Sequence, residues 1–330
     1  MASAQDELYV ANFIGHSITV YSRTANGDVA PLRSFTGVGF SNPVALAVDT
    51  IHGEIVVSNF GNFFINSYPR TASGIPLPSR FILSPESDGS EGVAVYPIAD
   101  EIIVASENNN SILVFSRTAN GGDVAPLRII RGPATGLDAP EGIAVDQVHD
   151  EIVVANAGNN SITVYNRTAN GNVAPLRTIQ GPATGLNAVG VTVDPGNNEI
   201  VVANEGNDSI TVYSRTAAGN VAPLRTISGP ATGLFFPTGV AVDTLNNEIV
   251  VANFANDAIT VYARTANGDV APLRTIQGPA TELNGSVDVA VTTDPTIPVI
   301  PTLNEWGQIG LASLLMVVSA LLTLRRRRSS

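Results

Sequence analysis

The sequence of 330 residues contains neither cysteine nor lysine. Without cysteine, the chain has no disulfide bonds and no metal site with thiolate ligands. The apolar period of 3.6 residues that amphipathic helices show is also missing from the body of the chain, which excludes helical repeats. Charged residues make up only 14% of the chain and hydrophobic residues 44%, with many Val, Ile and Thr, which suits packed β-sheets.

Basic charge is scarce over most of the chain. Residues 1–294 hold 13 arginines against 28 aspartates and glutamates, which gives a net charge of −15. Residues 295–330 hold four arginines against Glu305, which gives +3. Because a nucleic-acid partner requires a basic face that neutralises phosphates, the acidic body argues against nucleic-acid binding.

A repeated unit fills residues 7–294. Each copy contains a glutamate followed by three apolar residues, and successive glutamates lie 47, 47, 50, 48 and 49 residues apart. A fixed period of this length indicates a repeat architecture. The six glutamates are Glu7, Glu54, Glu101, Glu151, Glu199 and Glu248.

One copy of the unit contains four strand patterns. Gly142–Asp146 is a short apolar run, and Glu151–Asn156 has an unbroken apolar middle, typical of a strand covered on both faces. Ser161–Tyr165 alternates polar and apolar residues, as half-buried strands do. Ala174–Ile179 contains a proline, which places it at a sheet edge. Four short antiparallel strands in 47–50 residues predict a propeller blade.

The strand count predicts how the ring closes. Six innermost strands and six glutamate-headed strands occur, but the first glutamate-headed strand precedes the first innermost strand. We therefore expect Val287–Val291 to pair with Glu7–Asn12, which leaves no open edge between the termini. The predicted fold is all-β: one six-bladed propeller of four-stranded antiparallel blades over residues 1–294.

Two arginines also recur in every blade. Catalysis needs different groups at one place, whereas a residue present in every blade meets a structural need, so we expect Glu–Arg pairs or arginine-to-carbonyl bonds between strands. Exposed pairs of this kind contribute about 0–1 kcal/mol each. One set is Arg23, Arg70, Arg117, Arg167, Arg215 and Arg264, and the other is Arg33, Arg80, Arg128, Arg177, Arg225 and Arg274.

The repeat resembles a known family. Pro140–Asp146, Glu151–Asn156 and Asn160–Tyr165 together are similar to the NHL-type propeller repeat, although asparagine stands where that repeat usually has an acidic residue after its second strand. The resemblance implies a binding platform. Related six-bladed lactonases and lyases carry a metal at the channel mouth, and the fold alone does not decide between these functions.

Functional residues are expected where the copies disagree. The residues just before the innermost strands should ring one end of the channel: Asn42-Pro43, Glu91, Glu141, Val189, Thr238 and Ser286. Glu91 and Glu141 are candidate ligands for Ca²⁺, the one cofactor that the sequence suggests, and the alternative is two solvated carboxylates. His16, His52 and His149 lack zinc-site spacing, and no nucleophile-elbow, phosphate-loop or paired catalytic carboxylate motif occurs.

Aromatic residues gather in several loops of the divergent copies. Phe63, Phe64, Phe235 and Phe236 form the candidate ligand surface, because exposed rings bind carbohydrates and proteins. The alternative is that these rings fill gaps between blades.

The C-terminal segment has a different composition. Residues 295–299 read as a linker, and an apolar stretch at about 306–324 is long enough for a transmembrane helix. Arg325, Arg326, Arg327 and Arg328 follow and predict a cytoplasmic C-terminus, which leaves the propeller outside. The motif that precedes the stretch consists of Ile300, Pro301, Thr302, Leu303, Trp306 and Gly307.

This segment, residues 300–330, resembles the IPTL-CTERM sorting signal of Gram-negative bacteria. The resemblance implies recognition by an exosortase-type membrane transpeptidase, removal of the tail, and attachment to the cell surface or release. No signal peptide is visible at the start of the sequence. Ala2-Ser3-Ala4 has the form of a signal-peptidase site, so we expect the chain to start near a mature N-terminus; the alternative is a chance run of small residues.

These patterns favour an exported, non-enzymatic propeller that binds a glycan, matrix or protein ligand, or acts as a matrix component. The alternative is a metal-dependent hydrolase or lyase of the six-bladed lactonase type, with Glu91 and Glu141 at the channel mouth.

Overall fold

The computed structural model describes residues 6–37 and 39–292. The predicted linker at 295–299, the sorting motif, the transmembrane helix at about 306–324 and the arginine run lie outside the described residues. None of the helices among the described residues is long and apolar enough to cross a membrane. The only helical segments there are four 3₁₀ turns, at Pro97–Ala99, Glu205–Asn207, Phe254–Asn256 and Pro279–Thr281.

Strands account for the remaining regular structure. In chain order they are β1 (Glu7–Asn12), β2 (Ser17–Ser22), β3 (Arg33–Thr36), β4 (Pro43–Asp49), β5 (Glu54–Asn59), β6 (Ile65–Pro69), β7 (Arg80–Ile82), β8 (Ser90–Tyr96), β9 (Glu101–Ser106), β10 (Ser111–Ser116), β11 (Arg128–Arg131), β12 (Pro140–Asp146), β13 (Glu151–Asn156), β14 (Ser161–Asn166), β15 (Arg177–Ile179), β16 (Ala188–Asp194), β17 (Glu199–Asn204), β18 (Ser209–Ser214), β19 (Arg225–Ser228), β20 (Pro237–Asp243), β21 (Glu248–Asn253), β22 (Ala258–Ala263), β23 (Arg274–Ile276) and β24 (Ser286–Thr292).

The strands form six antiparallel sheets of four, so the prediction of a six-bladed propeller is confirmed. We number the blades along the chain: blade 1 is β24-β1-β2-β3, and blades 2 to 6 are β4–β7, β8–β11, β12–β15, β16–β19 and β20–β23. In blade 4, Asp146 pairs with Glu151 at one end of the inner strand and Pro140 with Asn156 at the other. We call the end where the inner strands begin the upper face, and the end where the glutamates stand the lower face.

Blade 1 joins the two ends of the repeat array. β24 pairs antiparallel with β1, with Leu8 opposite Val291 and Val10 opposite Val289. The predicted pairing of Val287–Val291 with Glu7–Asn12 is therefore confirmed. Three strands of this blade come from the N-terminal end and one from the C-terminal end, so the six inner strands form a closed ring.

The core lies between neighbouring blades. The middle strands are buried on both faces because the apolar side chains of one blade pack on those of the next. For example, Val153 of β13 and Ile200 of β17 belong to the same hydrophobic cluster. The inner strands approach closely at Gly142, where a Cβ would stand 2.5 Å from the Val189 carbonyl oxygen. A side chain at that position is excluded by the backbone of the next blade.

A ring of arginine–glutamate contacts ties the blades together at the lower face. Arg225 binds Glu199 of its own blade through two bonds of 2.6 and 2.7 Å, and Arg264 of the next blade binds Glu199 at 2.9 Å. Arg225 also donates to the Arg264 carbonyl at 2.9 Å. The pattern recurs in all six blades, with same-blade contacts of 2.5–2.7 Å and next-blade contacts of 2.9–4.0 Å.

The expected Glu–Arg pairs and arginine-to-carbonyl bonds are thus both confirmed, but the expectation that the pairs are exposed is wrong. The side chain of Glu199 is 10% exposed, and those of Arg225 and Arg264 are 12% and 16% exposed. The hydrogen bond from Arg225 lowers the pKa of Glu199, and the pKa of the corresponding glutamate is lowered in the other five blades too. Buried pairing of this kind makes the ring a structural element of the fold.

Candidate functional site: the upper mouth of the channel

The second residues of the inner strands form a ring at the upper face. In order from blade 1 they are Val287, Val44, Glu91, Glu141, Val189 and Thr238. The expected ring included Asn42-Pro43 and Ser286, and this part is wrong by one residue. Pro43 pairs with Asn59 as Pro140 does with Asn156, so Val44 is the residue equivalent to Glu141.

A second ring of variable residues lies on the same face. It consists of the residue that directly follows the second strand of each blade: Phe13, Phe60, Glu107, Ala157, Glu205 and Phe254. Members of both rings enclose a cavity of about 290 Å³, which we call the mouth. From the second ring, Phe13, Phe60, Phe254 and Glu205 line it.

The mouth has two chemically different halves. Its apolar half lies on blades 6, 1 and 2, and it contains Phe254, Phe13 and Phe60. The rings of Phe13 and Phe254 meet edge to face with centroids 6.3 Å apart, and Phe60 is 37% exposed. The acidic half lies on blades 3, 4 and 5, where the carboxyl groups of Glu91, Glu141 and Glu205 line the mouth, and the charge of Glu107 acts on Glu91 and Glu141 from outside the lining.

Burial and mutual repulsion raise the pKa of the Glu91 and Glu141 carboxyl groups. The pKa of Glu91 is raised to about 9, mainly by burial and then by the charges of Glu141 and Glu107. Burial, followed by the charges of Glu107 and Glu205, raises the pKa of Glu141 to about 7. Glu91 adds nothing to the shift of Glu141, because Glu91 still holds its proton when Glu141 titrates. The pKa of Glu205 is raised by burial alone.

The position of Glu91 is fixed by its neighbours. Gly92 lets β8 and β12 approach so closely that a Cβ there would stand 2.2 Å from the Glu141 carbonyl oxygen. On the other side, the Ser58 hydroxyl of blade 2 donates to the Glu91 carbonyl. The two carboxyl groups therefore belong to adjacent inner strands that are held in contact.

Asp288 is a mouth residue that the sequence pattern did not reveal. It stands where blades 3 to 6 have glycine and blade 2 has Ala45. Its Oδ2 accepts a hydrogen bond of 2.9 Å from the Leu46 N–H of the next blade. Burial raises the pKa of Asp288 to about 7, against the opposing effect of the backbone N–H groups of Leu46 and Val289.

The acidic half has no arginine partner. Of the thirteen arginines among the described residues, twelve take part in the ring at the lower face, and Arg131 pairs with Glu86. The glutamates of that ring stand at the first residue of each second strand. Glu107 and Glu205 directly follow the other end of these strands, and Glu91 and Glu141 lie at the same end, near the start of the inner strands. At about 3.3 Å per residue, the two ends of a second strand are roughly 20 Å apart. None of the ion pairs among the described residues involves Glu91, Glu141, Glu107 or Glu205.

The metal site that was expected at Glu91 and Glu141 stays a prediction. Both side chains line the mouth, but within residues 6–37 and 39–292 no group of three or more histidine, aspartate or glutamate side chains is arranged to hold a metal ion. Ca²⁺ takes six to eight oxygen ligands, so this pair does not make a complete site. The three histidines lie in blades 1, 2 and 4, where His52 and His149 contact Asp49 and Asp146.

The candidate aromatic surface also stays a prediction. Phe63, Phe64, Phe235 and Phe236 do not line the mouth. Phe63 contacts the ring of Phe60 at 6.4 Å, Phe235 and Phe236 contact each other at 5.7 Å, and this second pair is exposed. The phenylalanines that do line the mouth occupy one column of the repeat alignment, directly after the last residue of the second strand, so the column could be read from the sequence.

Fold and mouth together define a six-bladed propeller with a half-acidic, half-aromatic channel mouth. A family model described as "Lactonase, 7-bladed beta-propeller" matches residues 173–283. This match covers about a third of the chain and begins after Glu91 and Glu141 in the sequence. No curated protein matches this chain in sequence.

Several solved structures share the fold. A chain of the nidogen/laminin complex has a TM-score of 0.64 and 14% identity, with 86% of this chain and 97% of that chain covered. A functionally unknown protein from Desulfotomaculum acetoxidans DSM 771 has a TM-score of 0.59 and 14% identity, with coverage of 88% and 99%. The WD40 propeller domain of Doa1 has a TM-score of 0.55 and 13% identity, with 84% of this chain and 81% of that chain covered. At these identities the similarity establishes the fold alone.

Proposed function

We propose that this protein is a non-enzymatic binding propeller and that the mouth is its ligand site. One observation carries this proposal: the side chains that differ between blades come together in one cavity of about 290 Å³. The charged residues that recur in every blade are used in the ring at the lower face. A concave, largely apolar site with a few polar groups is the usual form of a small-ligand site.

Binding fits the chemistry of the mouth better than catalysis does. Among the described residues, the lining of the mouth includes no histidine, serine or arginine. A serine–histidine nucleophile pair, or an arginine donor for a developing oxyanion, therefore cannot form from this lining. The glycan or protein ligand expected from the sequence would enter the mouth through one sugar unit or one side chain.

A variant that fills the mouth tests this proposal. Val189 lies on the upper ring and is half-buried, so Val189→Trp should place an indole in the cavity and weaken ligand binding more than tenfold. The matched control is Leu176→Trp, because Leu176 is exposed outside the mouth. Ligand-observed NMR of cationic, neutral, anionic and sugar fragments on the full chain provides the measurement. Equal binding by both variants, for every fragment class, would refute a site at the mouth.

A hydrolase of the lactonase type is the second candidate. It is favoured by the family match over residues 173–283 and by Glu141, whose pKa of about 7 suits a general base or acid at neutral pH. Lactone hydrolysis measured with and without added Ca²⁺ separates the two functions. Under the binding proposal we expect no turnover. Turnover that requires Ca²⁺ and disappears in Glu141→Ala would reverse the assignment.

We also propose that the protein is exported and displayed at the cell surface through its C-terminal signal. The support is the motif Ile300–Gly307, the apolar stretch after it and the arginine run, which resemble an exosortase-type sorting signal. The proposed partners are a membrane transpeptidase and, before processing, the inner membrane. The alternative outcomes after processing are surface attachment and release.

Replacing one motif residue tests the sorting proposal. We expect Thr302→Ala to abolish removal of the tail and surface delivery, because the transpeptidase must recognise the motif before the membrane stretch. Ser329→Ala, beyond the arginine run, is the matched control and should be processed normally. Immunoblots of membrane, surface and medium fractions report tail removal by a size shift. Normal processing of Thr302→Ala would contradict the proposal.

A further inference from the structure

The chemistry of the mouth defines the class of ligand that it can take. The carboxyl groups of Glu91, Glu141 and Glu205 line the mouth on blades 3 to 5, that of Asp288 lines it on blade 1, and three phenylalanine rings lie on blades 6, 1 and 2. A cation favours the ionised form of half-buried carboxyl groups such as those of Glu91 and Glu141, and aromatic rings favour both apolar surface and cations near their faces. The two halves together therefore favour a ligand that carries both a positive charge and an apolar body.

The described part of the protein supplies no cation to the mouth. All of its arginines bind other carboxylates, twelve of them at the opposite end of the propeller, and the sequence contains no lysine. The mouth is thus unlike the lower face, where each glutamate binds two arginines. A cation that pairs with the ionised form of Glu91 or Glu141 must therefore come from solvent or from a ligand.

Thr238 gives a second and independent indication of a ligand. It belongs to the lining of the mouth, it is only 9% exposed, and its hydroxyl has no hydrogen-bond partner among the described residues. A buried hydroxyl without a partner is unfavourable, because it has lost its hydrogen bonds to water. Thr238 lies on blade 6, at the border between the two halves, where a ligand that spans them would approach it.

We propose that the mouth binds a small organic cation with an apolar body, such as an arylalkylammonium ion. This inference rests on the proposed function and specifies its ligand. The ammonium group would lie against Glu91 and Glu141, and the apolar body against Phe13, Phe60 and Phe254. A cavity of about 290 Å³ is at the lower limit of typical ligand pockets, which suits a molecule of this size.

A metal ion fits the same site less well. Among the described residues, no group of three or more histidine, aspartate or glutamate side chains is arranged to hold a metal ion, and the three rings would contribute no ligand. An organic cation uses both halves. It would also favour the charged form of Glu91 and Glu141, whose pKa values are raised in the empty mouth, so its binding should release protons near neutral pH.

Calorimetric titration of the full chain with phenethylammonium and with its neutral analogue 2-phenylethanol tests the inference. We expect the cation to bind at least tenfold more tightly and to release protons, seen as a dependence of the heat on the ionisation enthalpy of the buffer. Glu141→Gln should weaken cation binding about tenfold and leave the neutral analogue unaffected. Phe60→Ala should weaken both. Asp123→Asn, which removes an exposed charge from the lower loops, should change neither.

The outcomes separate this inference from the proposed function. Equal affinity for the cation and the neutral analogue, with both lost in Val189→Trp, would overturn the inference and leave the ligand site in place. Binding of Ca²⁺ alone, lost in Glu141→Gln, with no binding of phenethylammonium, would overturn it in favour of a metal. If every fragment class bound Val189→Trp and Leu176→Trp equally well, the mouth would not be a ligand site.

Discussion

Glu199→Ala should lower the free energy of unfolding by about 3–5 kcal/mol. The substitution leaves Arg225 and Arg264, whose side chains are 12% and 16% exposed, without their carboxylate. It also removes the ion pair between blades 5 and 6, because Glu199 is the group that both arginines share. Urea denaturation followed by circular dichroism measures the change.

An exposed pair is the matched control for this substitution. Arg131 binds Glu86 at 2.8 Å, with side chains 46% and 37% exposed, so Glu86→Ala should cost only about 0–1 kcal/mol. The loss in Glu199→Ala should also shrink in acid. The folded pKa of Glu199 is lowered, so its stabilisation is present above its unfolded pKa of about 4.5 and is lost as the pH falls through the folded value. Similar losses in both variants would show that burial does not set the strength of the ring.

Glu91→Gln should make the protein more stable at pH 8, by about 4–5 kcal/mol at about 1.4 kcal/mol for each pH unit above the unfolded pKa of 4.5, and should leave its stability at pH 4 nearly unchanged. The folded pKa of Glu91 is raised to about 9, so folding above pH 4.5 requires the carboxyl group to take up a proton. This penalty grows with pH up to about 9, whereas at pH 4 the group is protonated in both states. Glutamine keeps the shape of the neutral acid and avoids the penalty.

Stability measured between pH 4 and pH 8 checks this prediction. Glu282→Gln is the control, since Glu282 is exposed and lies outside the mouth, and its curve should follow that of the unaltered protein. Coincident curves for Glu91→Gln and the unaltered protein would mean that Glu91 titrates as a solvated carboxylate. A gain in stability would instead identify Glu91 as a residue that the fold itself does not need, as expected of a binding residue.

Much of the fold could be predicted because each of its signals is written six times. The unbroken apolar run of Glu151–Asn156, the alternation of Ser161–Tyr165 and the proline just before the outer strand each indicate a local preference. Ring closure followed from the order of the strands alone. The depth of the Glu–Arg ring could not be predicted, because the burial of Glu199 depends on the neighbouring blade.

The mouth was only partly predictable because separate segments from all six blades form it. Glu91 and Glu141 stood out as departures from the repeat. The positions of Val44 and Val287 in the ring, however, could be assigned only from the register of the paired strands. Asp288 looked like an ordinary strand residue until the structure placed it at the glycine position of the other blades. The raised pKa of Glu91 depends on burial in the cavity, which no spacing of residues expresses.

A crystallographic fragment soak of the propeller tests the central claim most directly, namely that the departures from the repeat form the functional site. We expect fragments to concentrate in the mouth, with cationic groups near Glu91 and Glu141 and apolar groups on Phe13, Phe60 and Phe254. Fragments that cluster on the outer strands or between blades, with the mouth free of any of them, would contradict the account.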